Sequence, residues 1–313
     1  MFLRVETEDA SGDRELREKA TAFVVQVPVT DKVVVPYLVT AAHVIQEARA
    51  LSKPLLARVN VDDKWKDKEI PADAWLEHLS SDVAVADARP VLRNGWDQVD
   101  AIPRELLVDD ATAAKFDIGE GDEVFMPGLF TSVPGETRDE PIVRFGHIAL
   151  GLQESLALEM PSGRSKTAGY LIEARSWGGH SGSPVFVSFM GAQGFAPERE
   201  GMASLLGLIH GHYELEAKVK FNDKPTEKVV APVNAGIAVV MPAQAIIDLL
   251  EEDEFVNSRD EERQRIEAEE TTPVPDMAGT SDDEFDRFED LTGKLLKVPK
   301  KELDEKREEE KEE

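Results

Sequence analysis

The sequence predicts an all-β fold, either a sandwich or a barrel. Roughly a dozen short runs of apolar and β-branched residues follow one another, with turn-forming residues between them. Helical periodicity is missing until a single amphipathic segment at 242–250. The apolar fraction of 41% is ordinary for a globular protein and allows a sizeable core. Together these observations predict one large β-rich domain over 21–250.

The first half of this domain opens with a predicted β-hairpin, whose turn is Thr30-Asp31-Lys32. The second hairpin strand leads directly into Thr40-Ala41-Ala42-His43, where the following residues suggest one helical turn. An irregular stretch at 89–117 is predicted to connect the two halves. The predicted strands of the first half lie at 22–27, 33–39, 55–59 and 82–86.

The second half repeats the same texture of short apolar runs and then ends in a helix. The segment 242–250 has the spacing of an amphipathic helix and is predicted to close the domain. The predicted strands of the second half lie at 121–128, 142–150, 170–174, 185–189, 205–210 and 236–240.

The two ends of the chain differ from the domain in composition. Residues 1–20 are polar and predict a short helix or a frayed arm. Residues 251–280 are acidic and contain prolines, which is typical of a linker. The pattern at 281–313 predicts an amphipathic helix followed by a charged tail. The apolar stripe of this helix would dock on the domain or on a protein partner; it comprises Phe285, Phe288, Leu291, Leu295 and Leu296.

Composition excludes several classes of function. The chain has no cysteine, so disulfides, thiolate metal sites and cysteine nucleophiles are excluded. The net charge of −27 argues against nucleic acid and anionic lipid as partners. No apolar run has the length of a signal peptide or a membrane span. A soluble cytoplasmic protein is therefore the expectation.

The stretch from Gly178 to Pro184 reads G-G-H-S-G-S-P and leads into an apolar run. Glycines let the backbone bend where a side chain would clash. They also leave backbone N–H groups free to face a developing oxyanion. A serine in this setting, Ser181, is a candidate nucleophile, although a glycine-rich hairpin turn would have the same composition.

A serine nucleophile needs a base and a group that orients the base. His43 follows the end of a predicted strand, a position that would hold its ring rigidly. Asp82 precedes the apolar run Val83-Ala84-Val85. A carboxylate at the start of a buried strand is costly unless it is paired. Pairing with an imidazole N–H would meet that requirement, although either residue alone is more often structural.

Three motifs, in the order His, Asp, Ser, resemble those of the trypsin/chymotrypsin-like serine proteases, specifically the cysteine-free bacterial branch. They are T-A-A-H at 40–43, S-D-V-A-V at 81–85 and G-H-S-G-S-P at 179–184. The resemblance covers roughly 21–250. It implies two six-stranded antiparallel β-barrels, divided near 90–120, with the active site between them.

The resemblance also implies a role for each residue of the motifs. His43 would act as general base and then as general acid, and Asp82 would orient it. Ser181 would attack the scissile carbonyl, and the backbone N–H groups of Gly179 and Ser181 would form the oxyanion hole. No metal and no organic cofactor is required by this chemistry.

Further positions would bind the substrate, a peptide or protein. Ile209, His210 and Gly211 resemble the strand that lines the family's substrate cleft, and Gly236 resembles the strand on the far wall. The substrate backbone would add there as an extra strand. Arg175 falls near the base of the specificity pocket, where it would favour an acidic side chain before the cleaved bond, unless it points to solvent.

His180 departs from the family pattern, which usually has Asp or Asn before the serine. The acid that pairs with a processed N-terminus in trypsin itself is therefore missing, and activation by N-terminal cleavage is not expected. A histidine here could also make the oxyanion loop sensitive to pH.

Three alternatives remain open at this point. His210 and His212 would face the same side of a strand and, with His180, could form a metal site, although polar residues lining the cleft are the preferred interpretation. The fold could be an inactive protease that binds peptides as an interaction module. The chain could also hydrolyse a non-peptide ester, or cleave only itself.

Overall fold

The computed structural model describes residues 1–8, 14–61, 63–92, 99–160, 163–175, 178–188, 203–220 and 228–271. The chain divides into a large unit, Met1–Glu262, and a second unit, Arg263–Glu313, of which only 263–271 are described. The apolar stripe and charged tail predicted at 281–313 lie outside the described residues.

The described residues of the large unit contain fifteen strands. They are β1 (Phe2–Glu8), β2 (Arg14–Thr21), β3 (Phe23–Pro28), β4 (Val34–Thr40), β5 (Leu55–Val61), β6 (Lys64–Ile70), β7 (Trp75–Glu77), β8 (Ala84–Asp87), β9 (Ala101–Pro103), β10 (Glu123–Gly128), β11 (Ile142–Met160), β12 (Gly163–Glu173), β13 (Pro184–Ser188), β14 (Ala203–Lys220) and β15 (Lys228–Pro242). The α-helices are α1 (Ala42–Ala50), α2 (Arg89–Leu92), α3 (Asp110–Lys115), α4 (Ala243–Leu250) and α5 (Asp253–Thr271).

The first half, residues 1–103, contains a five-stranded sheet in the order β7-β8-β4-β3-β9. The predicted hairpin is its centre, because β3 pairs antiparallel with β4, with Val24 opposite Leu38. The β-branched residues of these strands fill the core, as Val25, Leu38 and Val39 are fully buried. Strand β4 also pairs with β8, so that the end of β4 lies beside the start of β8.

The N-terminal segment forms strands rather than the short helix or frayed arm that its polar composition suggested. Strands β1 and β2 pair with each other, and β1 also pairs with β5, in a four-stranded sheet ordered β2-β1-β5-β6. The charged side chains are accommodated because they pair between strands. Arg4 contacts Asp67 at 2.9 Å, and Arg58 contacts Glu18 at 3.2 Å.

The second half, residues 123–242, is a single antiparallel sheet whose six strands close into a ring. Their order is β10-β11-β12-β15-β14-β13, and β10 pairs back onto β13. Alternate residues point inward and form one apolar core, which includes Val124, Ile172, Val185, Leu206 and Val240.

The mostly β fold is confirmed, but two closed barrels are not. The described residues of the first half form two open sheets, because β1 takes β5 as its partner and β9 joins β3 in parallel. The closed ring is found only in the second half of the described chain.

The predicted closing helix is present as α4, with Ile246 and Leu250 fully buried. The expected linker at 251–280 differs, because 253–271 form α5. Its first turns are anchored, since Phe255 contacts the Tyr37 ring edge-on and Arg259 donates to the Tyr37 hydroxyl at 3.1 Å. None of the helices in the described part of the chain has the length and apolar character to span a bilayer.

Candidate active site

His43 lies in the first turn of α1, directly after β4 ends at Thr40. A backbone N–H in the first turn of a helix has no partner within the helix. The His43 N–H donates instead to Asp82 Oδ1 at 2.7 Å. Its ring Nδ1 lies 2.6 Å from Asp82 Oδ2. One carboxylate therefore fixes both the start of the helix and the orientation of the imidazole. The contact with Asp82 uses Nδ1, so Nε2 is the ring nitrogen that does not contact the carboxylate.

Asp82 lies two residues before β8, and its side chain has no solvent exposure. Burial raises the pKa of the carboxyl, but hydrogen bonds from His210 and His43 outweigh burial and hold the pKa below its usual value. The charged carboxylate is thus stable in a buried position because ring N–H groups surround it.

The loop that carries Ser181 depends on two glycines with positive φ. Gly179 has φ +98° and Gly182 has φ +78°. A Cβ on Gly182 would lie 2.3 Å from both Thr21 O and Thr40 Oγ1, and one on Gly179 would lie 2.9 Å from the Leu129 side chain. Glycine is required at both positions by conformation and by space.

Backbone hydrogen bonds on both sides hold this loop. The Ser183 N–H donates to the His180 carbonyl at 2.8 Å, which forms a tight turn around Ser181. The Gly182 N–H donates to the Ile209 carbonyl at 2.8 Å, and the Ile209 N–H donates to the Ser183 carbonyl at 2.9 Å. The loop is thereby attached to β14.

Thr21, which sequence reasoning missed, connects the loop to the first half. Its N–H donates to the Ser181 carbonyl at 2.9 Å, and its hydroxyl donates to the Gly179 carbonyl at 2.9 Å. The hydroxyl also accepts the Leu129 N–H at 3.0 Å, and the Thr21 carbonyl accepts the Thr40 hydroxyl at 2.8 Å. Nothing in the sequence distinguishes Thr21 from any threonine between two strands.

The two N–H groups proposed as oxyanion donors are available. In the described part of the chain, neither the Gly179 nor the Ser181 backbone N–H has a hydrogen-bond acceptor. The Ser181 N–H belongs to the same peptide as the His180 carbonyl, which faces Ser183, so the N–H points to the opposite side. Unpaired donors next to a serine hydroxyl are the arrangement that stabilises a tetrahedral oxyanion.

The Ser181 hydroxyl donates to the His210 carbonyl at 3.2 Å. Among the contacts of the described residues, no hydrogen bond joins Ser181 Oγ to His43. The hydroxyl would have to turn from the His210 carbonyl to His43 before it could lose its proton.

His210 was expected to line the substrate cleft, but its side chain contacts Asp82. Its Nδ1 lies 2.5 Å from Asp82 Oδ2, the same oxygen that His43 contacts. The two imidazole rings meet edge to face, with centroids 5.4 Å apart. No sequence pattern indicated this contact, because a strand pattern does not tell which distant carboxylate a side chain will meet.

The other predicted substrate residues are divided between core and open surface. Ile209 is fully buried and holds the serine loop through its backbone. No atom lies within 4 Å of an ideal Cβ on Gly211 or Gly236, so both face open space. Strand β13 pairs with β14 as far as Pro184 opposite Leu208, and the serine loop continues this pairing to Ile209. Among the described residues, the part of β14 after Ile209 has no strand partner on that side.

Arg175 is exposed just after β12. Burial and then the nearby charge of Arg175 lower the pKa of Arg144, so the two guanidinium groups are neighbours. Within the described ranges neither guanidinium has a carboxylate partner, and Arg144 Nε is buried without a hydrogen-bond partner.

His180 is fully buried and packs under the loop, where a Cβ on Gly128 would approach its ring to 3.1 Å. His212 lies 3.7 Å from Glu214. In the described part of the chain, the one group with metal-binding proximity comprises His43, Asp82 and His210, whose ligand atoms lie within 4.8 Å of one another. The alternative metal site at His180, His210 and His212 is not formed by these residues.

No protein-family model matches this chain, and a search of curated proteins finds no match. The resemblance to trypsin/chymotrypsin-like proteases therefore rests on the three motifs of the sequence.

Proposed function

We propose that this chain is a serine endopeptidase that hydrolyses peptide bonds through Ser181, His43 and Asp82. The observation that carries the proposal is the double hydrogen bond from His43 to the buried Asp82 carboxylate, at 2.7 and 2.6 Å. It accompanies a glycine-framed serine whose neighbouring N–H groups have no acceptor among the described residues. This combination supplies a nucleophile, a base, the acid that orients the base, and N–H donors for an oxyanion.

In the first step, His43 Nε2 takes the proton of Ser181 as Oγ attacks the scissile carbonyl carbon. The carbonyl oxygen becomes an oxyanion, which the Gly179 and Ser181 N–H groups stabilise. Asp82 stabilises the imidazolium that forms. His43 then gives the proton to the leaving amine, the C–N bond breaks, and Ser181 carries an acyl ester.

In the second step, water replaces the amine. His43 takes a proton from the water as its oxygen attacks the ester carbon, and returns the proton to Ser181 Oγ when the ester bond breaks. The carboxylic acid product leaves and the resting enzyme is restored. A removed oxyanion donor typically costs about 10²–10³ in rate, so both N–H groups matter.

The peptide would bind along the open edge of β14 after Ile209. An extended chain can add to an unpaired strand edge through backbone hydrogen bonds. Gly211 and Gly236 leave space for the side chains next to the scissile bond. We propose that the halves correspond to the two barrels of the trypsin/chymotrypsin-like fold, with the first opened by the pairing of β1 with β5.

Arg175, with Arg144 beside it, favours an acidic side chain before the cleaved bond. The support is the pair of cations without a carboxylate partner in the described residues. Peptide-library profiling is expected to show a preference for Asp or Glu, reduced at least tenfold in Arg175→Ala. Equal cleavage after neutral residues would reject this specificity.

A second candidate is a catalytically inactive fold that binds peptides. The specific observation in its favour is that Ser181 Oγ contacts the His210 carbonyl rather than His43. The two candidates differ in whether Ser181 reacts with an electrophile.

Labelling by a fluorophosphonate probe between about pH 6 and pH 9 tests the proposal, because the probe reacts with activated serines. The wild-type chain is expected to label and Ser181→Ala is not. Ser183→Ala is the matched control, since Ser183 lies on the same loop but is fully buried, and it should label like wild type. Absence of wild-type labelling would favour the binding fold, and labelling of Ser181→Ala would exclude Ser181 as the nucleophile.

A further inference from the structure

Three N–H donors converge on the Asp82 carboxylate. The His43 backbone N–H contacts Oδ1 at 2.7 Å. The His43 and His210 rings both contact Oδ2, at 2.6 and 2.5 Å. An ionised carboxylate only accepts hydrogen bonds, so each ring places a proton on its Nδ1. One buried negative charge is thus shared by two imidazoles.

A local irregularity of β14 accounts for the direction of the His210 side chain. Along β14, Ile209 pairs with Val240 and Gly211 pairs with Val239, so His210 is the extra residue of a β-bulge. A bulge re-aims a side chain that regular pairing would direct elsewhere. The same residue accepts the Ser181 hydroxyl through its carbonyl. His210 therefore contacts both the acid and the proposed nucleophile.

We propose, on the basis of the serine-hydrolase function above, that His210 is a positioning residue that shares Asp82 with His43. Its ring holds the carboxylate in place and draws part of its charge away from His43. His43 remains the proposed base, and His210 takes no part in proton transfer, because His210 contacts Ser181 through its backbone carbonyl and not through its ring.

The contact of His210 with Asp82 should change the basicity of His43 in one direction. In the transition state His43 becomes positively charged, and Asp82 stabilises that charge. A second donor on the same oxygen makes the carboxylate a weaker partner for His43, and a charged His210 would oppose the imidazolium directly. Loss of His210 should therefore make His43 easier to protonate. It should also leave Asp82 less firmly held.

Among the described residues, the side chains in contact with His210 come from three places. Asp82 precedes β8, His43 lies in the first turn of α1, and Ser181 lies on the serine loop. His212 follows on β14 and lies near Glu214, at 3.7 Å. The last pair does not contact Asp82, so His212 serves as a matched control on the same strand.

The kinetic test compares His210→Phe, His210→Gln and His212→Gln in the full chain. EDTA is present so that no divalent cation binds to His43, Asp82 and His210. His210→Phe is expected to lower kcat about tenfold and to move the acid limb of the kcat/KM profile to higher pH by about half a unit or more. His210→Gln keeps an N–H donor and should recover most of kcat. His212→Gln should match wild type.

An NMR measurement reads the arrangement without any activity. Wild-type protein with ¹⁵N-labelled histidine is expected to show two strongly hydrogen-bonded Nδ1–H signals. His210→Gln should lose one of them, Asp82→Asn should lose both, and Ser181→Ala should keep both. A single such signal in wild type, or an acid limb that His210→Phe leaves unchanged in an active enzyme, would overturn the proposal.

The two measurements separate the possible failures. A wild-type chain that shows two Nδ1–H signals but does not react with fluorophosphonate would reject the enzymatic function and the effect of His210 on it. It would retain the shared carboxylate. A chain that reacts with fluorophosphonate but shows one signal would keep the enzyme and reject the shared carboxylate.

Discussion

The first half brings His43 and Asp82 together through two neighbouring strands, whereas the second half presents Ser181 on a loop whose contacts reach back into the first half. Strands β4 and β8 pair with Thr40 opposite Ala84, so the residues just after one and just before the other must meet. The Ser181 loop is attached to β14 within its own half and to Thr21 in the other.

The His43–Asp82 pair and the Ser181 loop should therefore be sensitive to different substitutions. The His43–Asp82 pair is fixed locally, by short hydrogen bonds and by the start of a helix. The position of Ser181 depends on how the first half contacts the serine loop, and Thr21 provides two of those hydrogen bonds, to the Ser181 and Gly179 carbonyls. Changes in the first region should remove chemistry with little effect on the loop, and changes in the second should affect stability and chemistry together.

The largest expected effect comes from Asp82→Asn. The amide nitrogen of Asn donates, so the side chain cannot accept both from the imidazole rings and from the His43 backbone N–H, and the His43 tautomer is no longer fixed. Hydrolysis should fall about 10⁴-fold, measured as kcat. Asp87→Asn is the control, because Asp87 contacts Arg89 rather than the site, and its activity should be that of wild type. An Asp82→Asn variant with a tenth of wild-type activity would contradict the role of Asp82.

Gly182→Ala tests the loop. The new Cβ would lie 2.3 Å from Thr21 O and Thr40 Oγ1, at a residue with φ +78°. The free energy of unfolding should fall by about 3 kcal/mol, measured by urea denaturation. Gly121→Ala isolates the conformational part, because its φ is +95° and no atom lies within 4 Å, and should cost about 1 kcal/mol. If both variants lost the same free energy of unfolding, the close approach of Gly182 to Thr21 and Thr40 would not contribute to stability.

Thr21→Val removes the hydroxyl and keeps the shape of the side chain. The Leu129 N–H and the Gly179 carbonyl would lose a buried partner, which costs about 1–3 kcal/mol. The fluorophosphonate labelling rate should fall roughly 10-fold to 100-fold, because the loop shifts. Thr30→Val is the control, because the Thr30 hydroxyl accepts the Lys32 and Val33 N–H groups in a turn far along the chain from the loop; it should leave the labelling rate unchanged. Normal labelling of Thr21→Val would show that the Thr21 hydroxyl is not needed to hold the loop.

The smallest expected effect is a pH dependence of stability. The pKa of Asp82 lies below its usual value in the folded chain, so the unfolded chain binds more protons between the two values. The contribution of Asp82 is complete above the unfolded value of 3.8 and is lost as pH falls through the lowered one. Between about pH 6 and pH 3, wild type should lose more stability than Asp82→Asn in urea denaturation. Parallel curves would contradict the charged, paired state.

The local elements of this fold could be predicted from sequence patterns. The valine-rich hairpin, the first turn of the helix after Thr40 and the apolar helix α4 follow from short-range periodicity and from turn residues. The polar segments at 1–20 and 253–271 do not follow from such patterns, because their charged side chains bind partners far away in the chain. Arg4 forms an ion pair with Asp67, and Arg259 donates a hydrogen bond to the Tyr37 hydroxyl.

The sequence by itself determined which groups could react, because a glycine-framed serine, a histidine after a strand and an aspartate before one are local patterns. Only the tertiary structure decided that His210 shares Asp82 and that Thr21 holds the serine loop. Both depend on atoms that are 128 and 158 positions apart in the chain. Contacts over such separations are set by how strands pair and bulge, and no short-range pattern encodes that.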